Sequence, residues 1–137
     1  GTPSDAFTNP LGGIHGGWMA TLLDSSMACA VHTRLAAGQA YTTVEFKLNL
    51  VKAVTPATGK LRCEGRVLQF GNRIATSEGF VRDAAGTLYA HGTETCLVMP
   101  ARGYSAIVPS ITGTHCPATR VRAPRSSHHN SPPRFET

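Results

Sequence analysis

The chain has few charged residues, a single tryptophan, no long apolar run and no closely spaced cysteine pair. Each shortage excludes something. Apolar residues nowhere continue for the roughly 18 positions that a membrane-spanning helix needs. The opening residues, Gly1-Thr2-Pro3-Ser4-Asp5, lack the basic-then-apolar order of a secretory signal. Cys29, Cys63, Cys96 and Cys116 lie 34, 33 and 20 residues apart, with no CxxC pair and no histidine at zinc-finger spacing. Reduced, mostly buried thiols in a cytoplasmic protein are therefore expected, and no metal centre.

Charged residues make up 15% of the 137 positions, with a net charge of +5. That excess suggests a polyanion until it is located. Residues 1–99 hold eight bases and seven acids, whereas residues 100–137 hold five arginines and one acid. The main body is nearly neutral, so neither a nucleic-acid nor a membrane partner is expected.

What is present is enough for one core: 41% of the residues are hydrophobic. Residues 1–15 are rich in turn formers, with room for at most a strand end near Ala6-Phe7. From Gly16 to about Ala37, Trp18/Met19, Leu22/Leu23, Met27, Ala30/Val31 and Leu35 recur at helical spacing. Gly38 follows as a candidate cap. The period then changes to two. In Thr42–Val51, Val44, Phe46, Leu48 and Leu50 are predicted to face one way, and Thr43, Glu45, Lys47 and Asn49 the other. Strands are also predicted from Leu61 to Val67, Ile74 to Arg82 and Leu88 to Met99, the last two joined by a hairpin at Asp83-Ala84-Ala85-Gly86. The layout is α+β: one long central helix wrapped by a curved antiparallel sheet. It occupies residues 1–99. The remainder, 100–137, holds six of the nine prolines and no leucine or lysine, and reads as an extended or disordered tail with a short apolar segment at 106–111.

The stretch that carries chemistry is Asn9-Pro10-Leu11-Gly12-Gly13-Ile14-His15-Gly16-Gly17, leading to Asp24. Gly16 and Gly17 stand where the helix begins, among the N–H groups without intrahelical partners. They lie at the positive end of the helix dipole, a place suited to a carbonyl oxygen gaining negative charge. A glycine-rich turn with no ligand is the other reading. Asp24 shares a helix side with Ala20, Met27, Ala28 and Val31, with no base three or four residues away. A carboxylate there is either hydrogen-bonded within the core or poised as a base.

The pattern Asn-x-x-Gly-x-x-His-Gly-Gly, with Asp nine residues after the His, resembles the PaaI-type acyl-CoA thioesterases of the hotdog superfamily. The strand from Tyr41 to Leu50 and the run Leu88-Tyr89-Ala90-His91-Gly92-Thr93 continue the likeness over roughly residues 4–99. The resemblance implies a hotdog fold and hydrolysis of an aryl- or fatty-acyl-CoA, with coenzyme A as part of the substrate and no cofactor. It implies Asp24 as nucleophile or, through a water, general base. Gly17, with Gly16 beside it, is to polarise the thioester carbonyl. His15 is to position that loop or the carbonyl, Asn9 to orient water or substrate, and Thr43 to hold the attacking water. Arg73, after the Gly71-Asn72 turn, is a candidate for a substrate phosphate.

Helix geometry adds an expectation of its own. Asp24 lies eight residues beyond Gly16, about 12 Å along the axis. A reacting carbonyl must sit within roughly 3 Å of both its activator and its nucleophile. One helix cannot bring both to the same carbon, so the site is expected to be shared between subunits of an obligate dimer, or of a tetramer built from such dimers. Two departures from the family stand out. Members usually carry a helix and a full first strand ahead of the Asn motif, whereas only eight residues precede Asn9, so either the first strand is cut short or the sequence is a fragment. The arginine- and proline-rich tail is also outside the pattern. A non-catalytic acyl-CoA-binding hotdog protein is the alternative; retention of Asp24, Asn9, His15 and Thr43 together favours the enzyme. The hotdog dehydratases pair a catalytic His with a carboxylate in a different local motif, absent here.

Overall fold

The computed structural model describes residues 1–101. The expected tail from 102 on, its apolar segment at 106–111, Cys116, and the histidines at 115, 128 and 129 lie outside the described residues. Helix α1 spans Gly16–His32, followed by β1 (Gln39–Leu50), β2 (Arg62–Phe70), β3 (Ile74–Arg82) and β4 (Leu88–Pro100). The strands form one antiparallel sheet in the order β1-β4-β3-β2, and α1 packs across one face of it. This is the single-helix, curved-sheet arrangement of a hotdog fold, as expected.

The local reasons are legible. The Asn9 side-chain oxygen accepts from the N–H groups of Leu11 (2.9 Å) and Gly13 (3.2 Å), closing the turn ahead of the helix. Ile14 is buried and its N–H bonds to the Val54 carbonyl at 2.8 Å, which ties that turn to the segment after β1. Within α1, Met19, Leu23, Met27, Ala28, Ala30 and Val31 are buried. Gly65 and Gly79 in the sheet face this stripe. A Cβ on Gly79 would stand 2.8 Å from Met27 Cγ, and one on Gly65 would run into the Ser26 backbone. The helix therefore sits down on β2 and β3, in contact distance only because those two positions have no side chain.

Three expectations need correction. The helix ends at His32 rather than near Ala37. The Arg34 and Leu35 N–H groups bond three residues back, to Val31 and His32, which tightens the last turn. The chain then turns again: Gln39 N–H bonds to the Ala36 carbonyl and the Gln39 side chain accepts from Ala36 N–H. Gly38, at φ +81°, serves that turn and not the helix cap. Near the start, Asp5–Phe7 is a 3₁₀ turn and not a strand end.

The third correction concerns β1. Its pairing with β4 slips between Thr43 and Glu45, so that Thr43 opposes Cys96 while Glu45 opposes Thr95. Val44 is the extra residue of a β-bulge and is 59% exposed. The bulge changes the alternation. Thr43 shares the helix face of the sheet with Phe46, Leu48 and Leu50, the side on which Cys96, Glu94 and Ala90 are buried. Val44 is excluded from that face.

Candidate active site

Two groups of residues emerge, one at each end of the stretch from Asn9 to Thr43. The first is the glycine turn. His15 is the N-cap of α1, and its ring Nδ1 accepts from the Gly17 N–H at 2.9 Å. An accepting Nδ1 carries no hydrogen, so the neutral ring bears its proton on Nε2. The exposed His15 ring thus caps the helix and offers an N–H donor beyond it. Of the two amides expected to point outward, Gly17's is occupied by His15. Gly16's precedes the first intrahelical bond. Asn9 spends its side-chain oxygen on the turn, which leaves its amide NH₂ as the group able to meet water or substrate.

The second group is a carboxylate pair joined by a hydroxyl. Thr43 Oγ1 lies 2.7 Å from Glu94 Oε1 and 3.4 Å from Asp24 Oδ1. The bulge at Val44 makes this possible by turning Thr43 onto the helix face. Asp24 is half-buried, while Glu94 is 1% exposed. Glu94 Oε1 also accepts from the Cys96 thiol at 3.1 Å. Its other oxygen is buried with no hydrogen-bond partner among the described residues, as is Ser77 Oγ on the directly opposed position of β3.

Burial pushes the Glu94 carboxyl above its ordinary range; the Thr43 and Cys96 hydrogen bonds pull it down, and the Asp24 charge adds to the rise. Burial, with Glu94 beside it, pushes the Cys96 thiol up to about 12, and burial holds the Tyr41 hydroxyl at about 12. Both stay protonated in the neutral range, so neither is a nucleophile there. Glu94 was not singled out in the sequence, where it is one of seven acids in the main body. Its signal is the two-residue period of β4: Ala90, Gly92, Glu94, Cys96 and Val98 are all buried, with the carboxylate at the centre of that face.

Burial of the Glu94 carboxyl ties the stability of the fold to pH. The folded chain binds this proton more tightly than the unfolded chain, whose carboxyl titrates at 4.5. Stability from this group is complete below the unfolded value and is lost as pH rises through the folded one. The groups facing Glu94 are Asp24 from α1, Tyr41 and Thr43 from β1, Ser77 from β3 and Cys96 from its own strand. A Glu94→Gln variant is expected to melt above the parent at about pH 8, with the gap closing toward about pH 5. Parallel melting curves check this, and a gap independent of pH would contradict it.

Arg73 is exposed in the β2–β3 turn, and its carbonyl accepts from Val98 N–H. The glycine turn lies at the other end of the sheet: a Cβ on Gly16 would stand 2.7 Å from Leu50 Cδ1, and Leu50 opposes Ala90. Within one chain, Arg73 is therefore remote from Gly16. No cluster of three His, Cys, Asp or Glu suited to a metal ion occurs among the described residues. Among the described residues no disulfide joins Cys29, Cys63 and Cys96 to one another; Cys96 is buried and the other two are half-buried.

Residues 11–90 match the thioesterase superfamily model, a span that includes Gly12 to Gly17, Asp24 and Thr43 and begins two residues after Asn9. Among solved structures, the BH2602 protein from Bacillus halodurans, crystallised with CoA, is 32% identical. Its TM-score is 0.66, over 72% of this chain and 68% of that one. The conserved protein PA5202 from Pseudomonas aeruginosa is 31% identical, with a TM-score of 0.65 over 72% of this chain and 76% of that one. A phenylacetic acid degradation-related protein from Ralstonia eutropha JMP134 is 29% identical, with a TM-score of 0.64 over 70% of each chain. No protein with a curated description matches. The helix on its curved sheet, the glycine turn at the helix start and the matched span together place the chain: it belongs to the thioesterase superfamily and is a thioester hydrolase.

Proposed function

We propose that the chain hydrolyses the thioester of an aryl- or fatty-acyl-CoA, with Asp24 as the carboxylate that delivers water or attacks directly. The observation that carries this reading is Asp24 Oδ1 against the Thr43 hydroxyl, at 3.4 Å, on the helix face of the sheet edge. A water resting beside this pair meets a base in one and a hydroxyl in the other. As the water attacks the carbonyl carbon, its proton passes to Asp24 and negative charge develops on the carbonyl oxygen. That oxygen is met by donors at a helix N-terminus, the Gly16 N–H and His15 Nε2–H, with the Gly17 N–H joining once the His15 ring turns away. Collapse of the tetrahedral species expels the coenzyme A thiolate. A thiolate is a stable leaving group, so no strong acid is needed on that side. Coenzyme A is part of the substrate, and Arg73 is a candidate for one of its phosphates.

The donors and Asp24 come from different copies in this reading. Leu50 neighbours Gly16, and Thr43 neighbours Asp24; these two ends of β1 are seven residues, about 23 Å, apart. β1 is an edge strand with Val44, Phe46 and Leu50 exposed, the kind of edge that proteins cover. Antiparallel pairing of β1 with a second copy about a twofold axis near its middle sets Leu50 of one copy beside Thr43 of the other. Each glycine turn then faces the other copy's Asp24.

The test is a panel of aryl-, phenylacetyl- and fatty-acyl-CoA thioesters followed by release of free thiol. Turnover of at least one is expected. Tight binding of the esters with no turnover of any would make this a binding protein and overturn the reading.

A further inference from the structure

Glu94 is the one buried carboxylate of the described residues that the hydrolytic steps above do not use. It lies beneath Thr43, shielded from solvent, at the centre of β4. Three observations bear on what it does. Thr43 Oγ1 is much closer to Glu94 Oε1 (2.7 Å) than to Asp24 Oδ1 (3.4 Å). Glu94 Oε1 also takes the Cys96 S–H, so this oxygen is anchored by two donors. Glu94 Oε2 and Ser77 Oγ, on opposed residues of neighbouring strands, are buried without partners.

A threonine hydroxyl has one hydrogen and two lone pairs. If that hydrogen goes to Asp24, it occupies part of the base and turns the lone pairs away from the space beside that carboxylate. If it goes to Glu94, the lone pairs are left for the Asp24 side. A water there can direct one hydrogen at Asp24 and the other at Thr43, leaving its own lone pair for the carbonyl carbon. An ionised Asp24 would otherwise compete strongly for the hydroxyl hydrogen, because charged acceptors make the stronger bonds. We infer that Glu94 is a positioning residue for hydrolysis: by accepting the Thr43 hydrogen it makes Thr43 an acceptor for the attacking water.

Burial and the Asp24 charge favour the protonated Glu94 carboxyl. With Oε1 accepting from two donors, a proton on this carboxyl belongs on Oε2, the oxygen without a partner among the described residues. A glutamine reproduces that state, with its carbonyl toward Thr43 and its NH₂ in the place of Oε2.

The inference rests on the thioesterase reading, and a kinetic cycle separates the two. Glu94→Met, which removes the acceptor at similar length, is expected to lower kcat by about 10- to 100-fold with KM unchanged. Glu94→Gln is expected to restore kcat to within about threefold of the parent. In a Thr43→Ala background, Glu94→Met should have no further effect, because the group it acts through is gone. Should Glu94→Met fail to fold by its melting curve, Glu94→Val, suited to a strand, takes its place in the cycle. An unchanged kcat in Glu94→Met, an equal loss in the Thr43→Ala background, or no rescue by glutamine would overturn the positioning role. A parent inactive on every thioester would overturn the thioesterase reading itself, and this inference with it. An active parent silenced by Asp24→Asn but indifferent to Glu94→Met removes Glu94 alone.

Discussion

Asp24→Asn is expected to lower kcat by about 10²–10⁴-fold, the range for loss of a positioned base, while KM for the CoA ester changes little. Asparagine keeps the size of the side chain and an oxygen for the Thr43 hydroxyl, so the 3.4 Å approach survives. What it loses is the ability to take a proton from water or to attack as a carboxylate. The change therefore acts on the transition state and not on the bound ester, which is why kcat falls and KM does not. Folding should not suffer. Asp24 makes no ion pair in the described residues, so neutralising it leaves no opposite charge unpaired. Steady-state kinetics with thiol detection, together with a melting curve, test both halves of the expectation. A rate equal to the parent's would remove Asp24 from the chemistry.

Much of this site was legible in the sequence, and the exceptions have physical causes. The helix start was readable because glycines after a His-containing turn leave amide groups that must be capped. The identity of the cap was not, because whether the His15 ring folds back on the Gly17 N–H depends on a side-chain rotamer and not on spacing. The helix end was overestimated because Leu35 keeps the apolar period while the backbone has already tightened past His32. Strict alternation puts Thr43 on the face opposite Phe46 and Leu48. The bulge at Val44 inserts one residue into that alternation, and nothing in Tyr41-Thr42-Thr43-Val44-Glu45 announces it. That one irregularity brings Thr43 to Asp24. Glu94 is hidden in the sequence for a related reason. Acids in strands usually face solvent, and only the pairing of β4 between β1 and β3 shows that this one cannot.

The shared site leads to the second large effect, a recovery of activity from two inactive chains. Asp24→Ala lacks the carboxylate. A His15→Ala/Gly17→Pro double variant lacks the ring donor and one amide, and proline is tolerated in the first turn of a helix. Each alone should be nearly inactive. If sites are formed between copies, a mixed dimer has one site in which both halves are intact: Asp24 from the double variant, and the glycine turn from the Asp24→Ala chain. Random assortment makes half of all dimers mixed, and each mixed dimer has one working site of two, so the mixture should recover about a quarter of the parent rate. A rate no higher than the two variants separately would place Gly16 and Asp24 in one site on one chain, against the roughly 12 Å of helix between them. The matched control is Asp24→Ala mixed with Thr43→Ala. Those two side chains lie 3.4 Å apart within one chain. Every site of that mixed dimer therefore draws both groups from one copy and carries one of the two defects. That mixture should recover nothing, and the contrast between the two mixtures separates groups contributed by opposite copies from groups contributed by the same one.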